Sequence, residues 1–220
     1  MSEEIQLTQP LVPLEKYLES GVHIGSKFKS GYMRKFIYKY RQDGICVFNI
    51  AQLDERIRIA ANFLAQYEPK DILIVARRTY AQKPAKKLAE CIGANVIIER
   101  FVPGTLTNPR NENFKNIKVI FAGDPPTDKQ AIKESGKAKI PVISICDTSN
   151  LVKGMDLIIP ANNKGKKALA LIYWLLAREI LKKRGMIKNN DEFKYKIEDF
   201  ESKALEMIKN ADKKEPSSER

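Results

Sequence analysis

Asp124 and Asp147 follow two apolar, β-branched runs, Ile117-Lys118-Val119-Ile120-Phe121 and Pro141-Val142-Ile143-Ser144-Ile145. If those runs are neighbouring strands, the carboxylates stand on adjacent strand tips. There they could hold Mg²⁺ and act on a phosphorylated substrate. Asp, Ser, Thr and Asn at such positions also make turns and helix caps, so a structural role stands beside the metal-dependent one. Cys146 adjoins Asp147 and could be a nucleophile, but a thiol needs a base. The only histidine, His23, lies in a remote glycine-containing stretch. Both read as packed or hydrogen-bonded residues. Cys46, Cys91 and Cys146 are widely spaced, with no CxxC. That fits thiols of a reduced compartment better than a disulfide framework or a zinc site. No GxGxxG or GxxxxGK[ST] turn follows any candidate strand. The residues therefore assign no catalytic group, no metal, no cofactor and no small-molecule substrate.

Cations form a fuller pattern. The 220 residues contain 39 Lys plus Arg against 27 Asp plus Glu, a net charge of +12. Such a balance favours polyanionic partners, although a lysine-rich solvated surface gives the same sum. Between Ser26 and Gln42 stand six bases and no acid: Lys27, Lys29, Arg34, Lys35, Lys39 and Arg41. Phe28, Tyr32, Phe36, Tyr38 and Tyr40 are interleaved with them. Cations for phosphate and flat rings for unstacked bases are what an RNA surface needs; Phe36 and Tyr38 read instead as core plugs. A second group, Lys164, Lys166 and Lys167, opens a long helix behind Asn162-Asn163. Lysines there oppose the helix dipole, and a bound phosphate would justify them. A third, Arg178, Lys182, Lys183 and Arg184, closes the same helix, where the dipole alone accounts for the charge.

These residues need a frame. Pro13 to Gly21 predicts a short helix, with Pro13 at its first position and Gly21 as its cap. Residues 22–43 show no period. Then strands and helices alternate. Strands are expected at 45–50, 71–76, 95–98, 117–121, 141–145 and 156–159. Helices are expected at 52–67, 84–92, 128–135 and 164–184. Thr127 reads as the N-cap of the third of these, Gly136 as its stop, and Gly185 as the stop of the last. Apolar runs without alternation indicate a parallel sheet covered on both faces. The expected fold is a three-layer α/β domain, Rossmann-like or flavodoxin-like, with about five parallel strands. It spans 1–185, with an irregular basic segment at 22–43. Residues 186–220 form a charged tail, helical near 197–208 and disordered over the last ten residues. The longest apolar run, Ala168–Ala177, is too short for a membrane helix. The acidic N-terminus does not resemble a signal peptide, and a cytoplasmic protein is expected.

Four stretches in order carry a more specific signal. They are Gly21-Val22-His23-Ile24-Gly25; Arg100-Phe101-Val102-Pro103-Gly104-Thr105-Leu106-Thr107-Asn108; Pro141 to Thr148; and Ile159-Pro160-Ala161-Asn162-Asn163-Lys164-Gly165. Together they resemble the small-subunit ribosomal protein S-two family over about residues 13–185. Trp174-Leu175-Leu176-Ala177-Arg178-Glu179 resembles its archaeal and eukaryotic branch. The resemblance implies a non-enzymatic component of the small ribosomal subunit that binds small-subunit rRNA and adjoins other small-subunit proteins, without a membrane. It makes Gly21, His23, Gly25, Pro103, Gly104, Thr105 and Asn108 structural motif residues. In Pro103-Gly104-Thr105 the glycine is expected at positive φ in a tight turn. The bacterial branch's inserted helical hairpin has no counterpart here, nor has the long acidic extension of the eukaryotic branch. Two other classes stay open on the residues alone: a metal-dependent α/β enzyme using Asp124 and Asp147, and a free RNA-binding factor.

Overall fold

In the computed structural model, residues 10–202 are described. The chain opens with helix α1 (Leu14–Ser20) and a 3-10 turn, Tyr32–Phe36, that leads into an antiparallel ribbon of β1 (Ile37–Tyr40) and β2 (Cys46–Phe48). The alternating part follows: α2 (Ile50–Ala65), β3 (Ile72–Ala76), α3 (Thr79–Ile92), β4 (Asn95–Ile98), β5 (Val119–Ala122), α4 (Lys129–Ala138), β6 (Val142–Cys146), β7 (Leu157–Pro160) and α5 (Lys166–Lys183). A short α6 (Ile197–Phe200) closes the described chain.

Strands β3 to β7 form one parallel five-stranded sheet in the order β4-β3-β5-β6-β7. Numbered within the sheet this is 2-1-3-4-5, the flavodoxin-like order. β3, β5 and β6 are buried at every residue, as strands covered on both faces must be. Each buried Ile, Leu or Phe side chain of β3 and β5 contributes roughly 1.5–3 kcal/mol. Fixing a residue's backbone costs roughly 1–2 kcal/mol, so the sheet depends on both covering layers. Ile72, Ile74, Phe121, Ile143, Ile145 and Ile159 face the layer of α2, α3 and α5. Leu73, Val75 and Ile120 face the other layer, packing on Ala131 of α4 and on Phe101 and Leu106 of the long loop after β4. Helix α5 is apolar around its whole circumference from Ala168 to Ala177 because α2 and α3 pack along it. Its hydrophobicity belongs to the core, and no helix among the described residues is long and apolar enough to cross a membrane.

Several boundaries differ from the sequence expectation. The run 45–50 is not a strand of the main sheet. Its core, β2, pairs with β1 instead, and β1 lies in the stretch expected to be irregular. Pro13 is the N-cap of α1 rather than its first residue. Helix α3 starts five residues before Pro84 and keeps that proline inside, because Ala81, Ala85 and Leu88 together fill the core. Helix α4 is capped by Asp128, not Thr127, and runs through Gly136 to end at Lys139, whose φ of +56° supplies the left-handed cap. Gly21 and Gly185 take left-handed conformations at helix ends as expected, and Gly93 does the same after α3. Residues 186–202 fold back on α5: Trp174 Nε1 donates to the Tyr195 carbonyl at 2.7 Å, and Phe193 and Phe200 are buried in the main core. The expected disordered end, 211–220, and most of the expected helix at 197–208 lie outside the described residues.

Candidate nucleic-acid interface

The strand exits hold a closed polar network. Asp124 is buried, and its Oδ2 accepts from Arg78 Nε at 3.1 Å, from Arg78 Nη2 at 2.5 Å and from the Thr127 hydroxyl. Its Oδ1 accepts from Asn163 Nδ2 at 2.9 Å. Asp147 is equally buried and receives Lys164 Nζ at 2.8 Å and the Thr148 amide at 2.7 Å. Asn163 also donates to Asn150 Oδ1, which accepts the Asp147 amide at 2.6 Å. These bonds tie the ends of β5, β6 and β7 together. A divalent cation would have to displace a guanidinium from Asp124 and an ammonium from Asp147, so the pair is structural rather than metal-binding or catalytic. Among the described residues, no group of three or more His, Cys, Asp or Glu side chains is placed to hold a metal. Burial pushes the Cys146 thiol up to about 12, which leaves it an inert core side chain. His23 is half-buried at the end of α1, with Nδ1 3.3 Å from the Tyr17 carbonyl.

Three of the four signature stretches converge on this network. The Val22 and Gly21 carbonyls accept from the amide and side chain of Asn162. His23 and Gly25 pair with the free edge of β2: Phe48 N donates to His23 O at 2.8 Å, and Gly25 N donates to Cys46 O at 2.9 Å. Ser26 N donates to Thr148 Oγ1 at 2.9 Å, and Ser30 N to Thr148 O at 2.8 Å. A Cβ on Gly25 would stand 2.5 Å from Thr148 Cγ2, so only glycine lets the segment close on the loop. The fourth stretch lies apart, on the α4 layer. Gly104 takes φ +92° in the turn after Pro103, and Thr105 Oγ1 closes it on Val102 O at 2.7 Å. Asn108 N donates to Gly104 O at 3.0 Å. The buried Glu134 carboxylate accepts the amides of Gly104 at 2.8 Å and Leu106 at 3.2 Å.

The segment so anchored presents the charge. Met33 and Phe36 are buried and plug the ribbon onto Cys146 and Ile158. Lys27, Lys29, Arg34, Lys35, Lys39 and Arg41 are all exposed. Phe28 is 80% exposed and Tyr38 70%, with Tyr32 and Tyr40 about half exposed. Phe36 is thus the core plug the sequence suggests, while Tyr38 lies on the surface, because its ribbon covers the sheet only with the opposite side. Lys29 Nζ sits 4.2 Å from the Tyr40 ring centre and Lys35 Nζ 3.7 Å from that of Tyr32. Arg41 has Asp43 at 3.6 Å, an exposed pair of little energetic weight.

Several other cations are paired within the chain. Lys164 neutralises Asp147, and Lys166 pairs with Glu201 at 3.1 Å. Lys167 is exposed beside α1 and the C-terminal arm. Carboxylates of the chain itself therefore offset two of the three lysines at the start of α5. Only Lys164 adjoins the ribbon, through the Asp147–Thr148 loop. At the far end of α5, Arg178 is buried over the Trp174 ring, donating to Leu11 O at 2.8 Å. Arg184 clamps the carbonyls of Ile92 and Tyr67. The arginines that follow β3, Arg77 and Arg78, are visible in the sequence as a strand exit but receive no role from it. Their signal was there: two adjacent guanidiniums immediately after a five-residue buried strand.

The sequence pattern of the family described as ribosomal protein S2 matches residues 17–120 and 112–183. Small ribosomal subunit protein uS2 of Thermoplasma acidophilum is 51% identical over 192 residues, covering 87% of this chain and 96% of that protein. Its counterpart in Thermoplasma volcanium is 50% identical over the same shares. That of Picrophilus torridus is 49% identical over 201 residues, 91% of this chain and 98% of the relative.

Proposed function

The chain belongs to the ribosomal protein S2 family, and from that premise we propose that its basic ribbon is the surface that holds small-subunit RNA. The protein is a structural component of the small ribosomal subunit and not an enzyme, and the three relatives named above are archaeal. Ribosomal RNA and other ribosomal proteins are its general partners. The observation that carries the finer reading is the ribbon itself. Six exposed cations and four exposed rings share one anchored segment in which Asp43 is the only acid between Ser26 and Asn49. Phosphates satisfy the cations, and unstacked bases satisfy the rings. Lys164, paired with Asp147, adjoins this surface, whereas Lys166 and Lys167 lie away from it beside α1 and the C-terminal arm. Residues 1–185 constitute the family's α/β unit and 186–220 an appended charged arm, in keeping with a family match that ends at 183.

Changing Lys27, Lys29, Arg34, Lys35, Lys39 and Arg41 together to Gln tests the reading. Met33, Phe36 and Phe48 are untouched, so the fold and its melting temperature should persist. Binding to small-subunit RNA should weaken, and the slope of log K on log salt should fall by up to about 4–5, at roughly 0.7–0.9 per phosphate contact. A charge-matched control changes the exposed Lys70, Lys86, Lys133, Lys137, Lys183 and Lys188 and should alter the slope far less. Equal losses in the two variants would mean that net charge, not this surface, binds the RNA.

A further inference from the structure

The order of the sheet reverses between β3 and β5. The chain leaves β3 toward the layer of α3 and leaves β5 toward the layer of α4. Their C-terminal ends part and open a crevice, the place where open α/β sheets take ligands. Here the crevice has a volume of about 220 Å³. Arg77 walls it from the end of β3, and Arg100 from the loop after β4, with Phe101, Pro103 and Gln130 between them. Arg77 and Arg100 are exposed, and among the described residues neither guanidinium has a carboxylate within ion-pairing distance. Their neighbour Arg78 is committed to Asp124.

The two carboxylates on the wall do not neutralise them. Asp128 accepts the backbone amides of Arg77 and Asp124, each at 3.0 Å, so it holds the loop that carries Arg77. Glu99, at the end of β4, adopts φ +69°. That conformation is costly for a residue with a side chain and clusters where ligands are held. It bends the chain so that the next residue, Arg100, reaches the crevice.

Two guanidiniums without a carboxylate partner in one crevice suit a phosphate, which takes several charge-assisted hydrogen bonds. We propose that this crevice grips a phosphate of an unpaired stretch of small-subunit RNA, at a point separate from the ribbon; the proposal rests on the RNA-binding reading above. A free mononucleotide offers the same phosphate but fits less well. No glycine turn follows β3, and the space above Gly123 is filled by the Tyr173 hydroxyl, 2.8 Å from where a Cβ would stand. The site therefore lacks the backbone cradle that free nucleotides use. Side chains on a rim instead suit a strand passing over it.

The test uses the full chain with ¹⁵N-labelled arginine and an Arg77→Gln, Arg100→Gln double variant. A ten-residue uridine oligonucleotide should shift the Arg77 and Arg100 Nε–H resonances, and adenosine 5′-monophosphate at the same phosphate concentration should not. The double variant should melt like wild type and lower the salt slope for a small-subunit RNA transcript by about 0.7, the value of one single-strand phosphate contact. An unchanged slope, or resonances that move with the mononucleotide and not with the oligonucleotide, would overturn the proposal. The ribbon variant is measured in parallel. Loss of slope there with none in the crevice variant leaves the ribbon reading intact and removes this one; the opposite pattern supports the crevice and removes the ribbon.

Discussion

Replacing Gly25 with alanine should destabilise the protein through a single contact. The new methyl would lie 2.5 Å from Thr148 Cγ2, 3.0 Å from Thr148 Oγ1 and 3.2 Å from the Cys46 carbonyl. Thr148 is fully buried and bonded through its hydroxyl to Ser26, so it cannot swing away without breaking that bond. Overpacking of this kind costs typically 1–3 kcal/mol. Gly25 is not among the positive-φ residues, so alanine can take its backbone conformation, and the stiffer unfolded chain returns about 0.4–1 kcal/mol. At the middle of both ranges the net loss should be about 1.3 kcal/mol, a drop in Tm of about 3–5 °C at 2–4 °C per kcal/mol for a chain of this size. Thr148→Ser removes Cγ2 and keeps the hydroxyl, costing about 1 kcal/mol alone. In Gly25→Ala with Thr148→Ser the closest contact is gone, so the double variant should be more stable than the two single losses predict, by about 1 kcal/mol or more. Urea unfolding of the four proteins measures this coupling. A Gly25→Ala variant as stable as wild type, or additive losses, would refute the packing argument.

Two further outcomes follow from buried carboxylates. Glu134→Ala strands the amides of Gly104 and Leu106; at about 1–3 kcal/mol for each unpaired buried group, stability should fall by roughly 2–6 kcal/mol, and limited proteolysis should accelerate between Phe101 and Phe114. Glu134→Gln, which keeps one oxygen, should lose less, and equal losses would show that shape rather than hydrogen bonding matters there. Burial raises the Asp128 carboxyl to about 6, so its ionisation opposes folding: its favourable contribution is complete below about pH 4 and disappears as pH rises through 6. The stability difference between wild type and Asp128→Asn should therefore shrink or change sign from pH 4 to 6 and level off above about 7. A difference that stays flat across that window would contradict the burial assigned to Asp128.

The parallel sheet was legible because its strands are apolar on both faces, a pattern that only a covered sheet explains. The ribbon was not. Ile37 to Tyr40 expose three of four side chains, and a bulge between Ile37 and Lys39 breaks the register, so no alternation survives to be read. Gly136 and Pro84 misled for the same reason: burial of Ala131, Ile132 and Ala81 decides where these helices run, and local stop signals yield to it. Of the candidate site, the composition of 26–42 could be read directly. The sorting of its rings into a plug, Phe36, and a surface, Tyr38, needed the partner strand. The fate of Lys164 and Lys166 was hidden because Asp147 and Glu201 lie 17 and 35 positions away.

The docking of the first basic segment on the last strand loops also fixes when it can form during synthesis. Ser26 and Thr148 are 122 positions apart, and Gly21 and Asn162 are 141 apart. At about 5–20 residues per second, roughly 6–25 s pass between the making of Ser26 and that of Thr148. Throughout that interval the cations of 27–41 belong to a nascent, unanchored chain and attract any polyanion by charge alone. Once β6, β7 and their loops exist, the segment acquires a fixed shape, and attraction becomes recognition. The fold thus delays selectivity to the final stage of its own production.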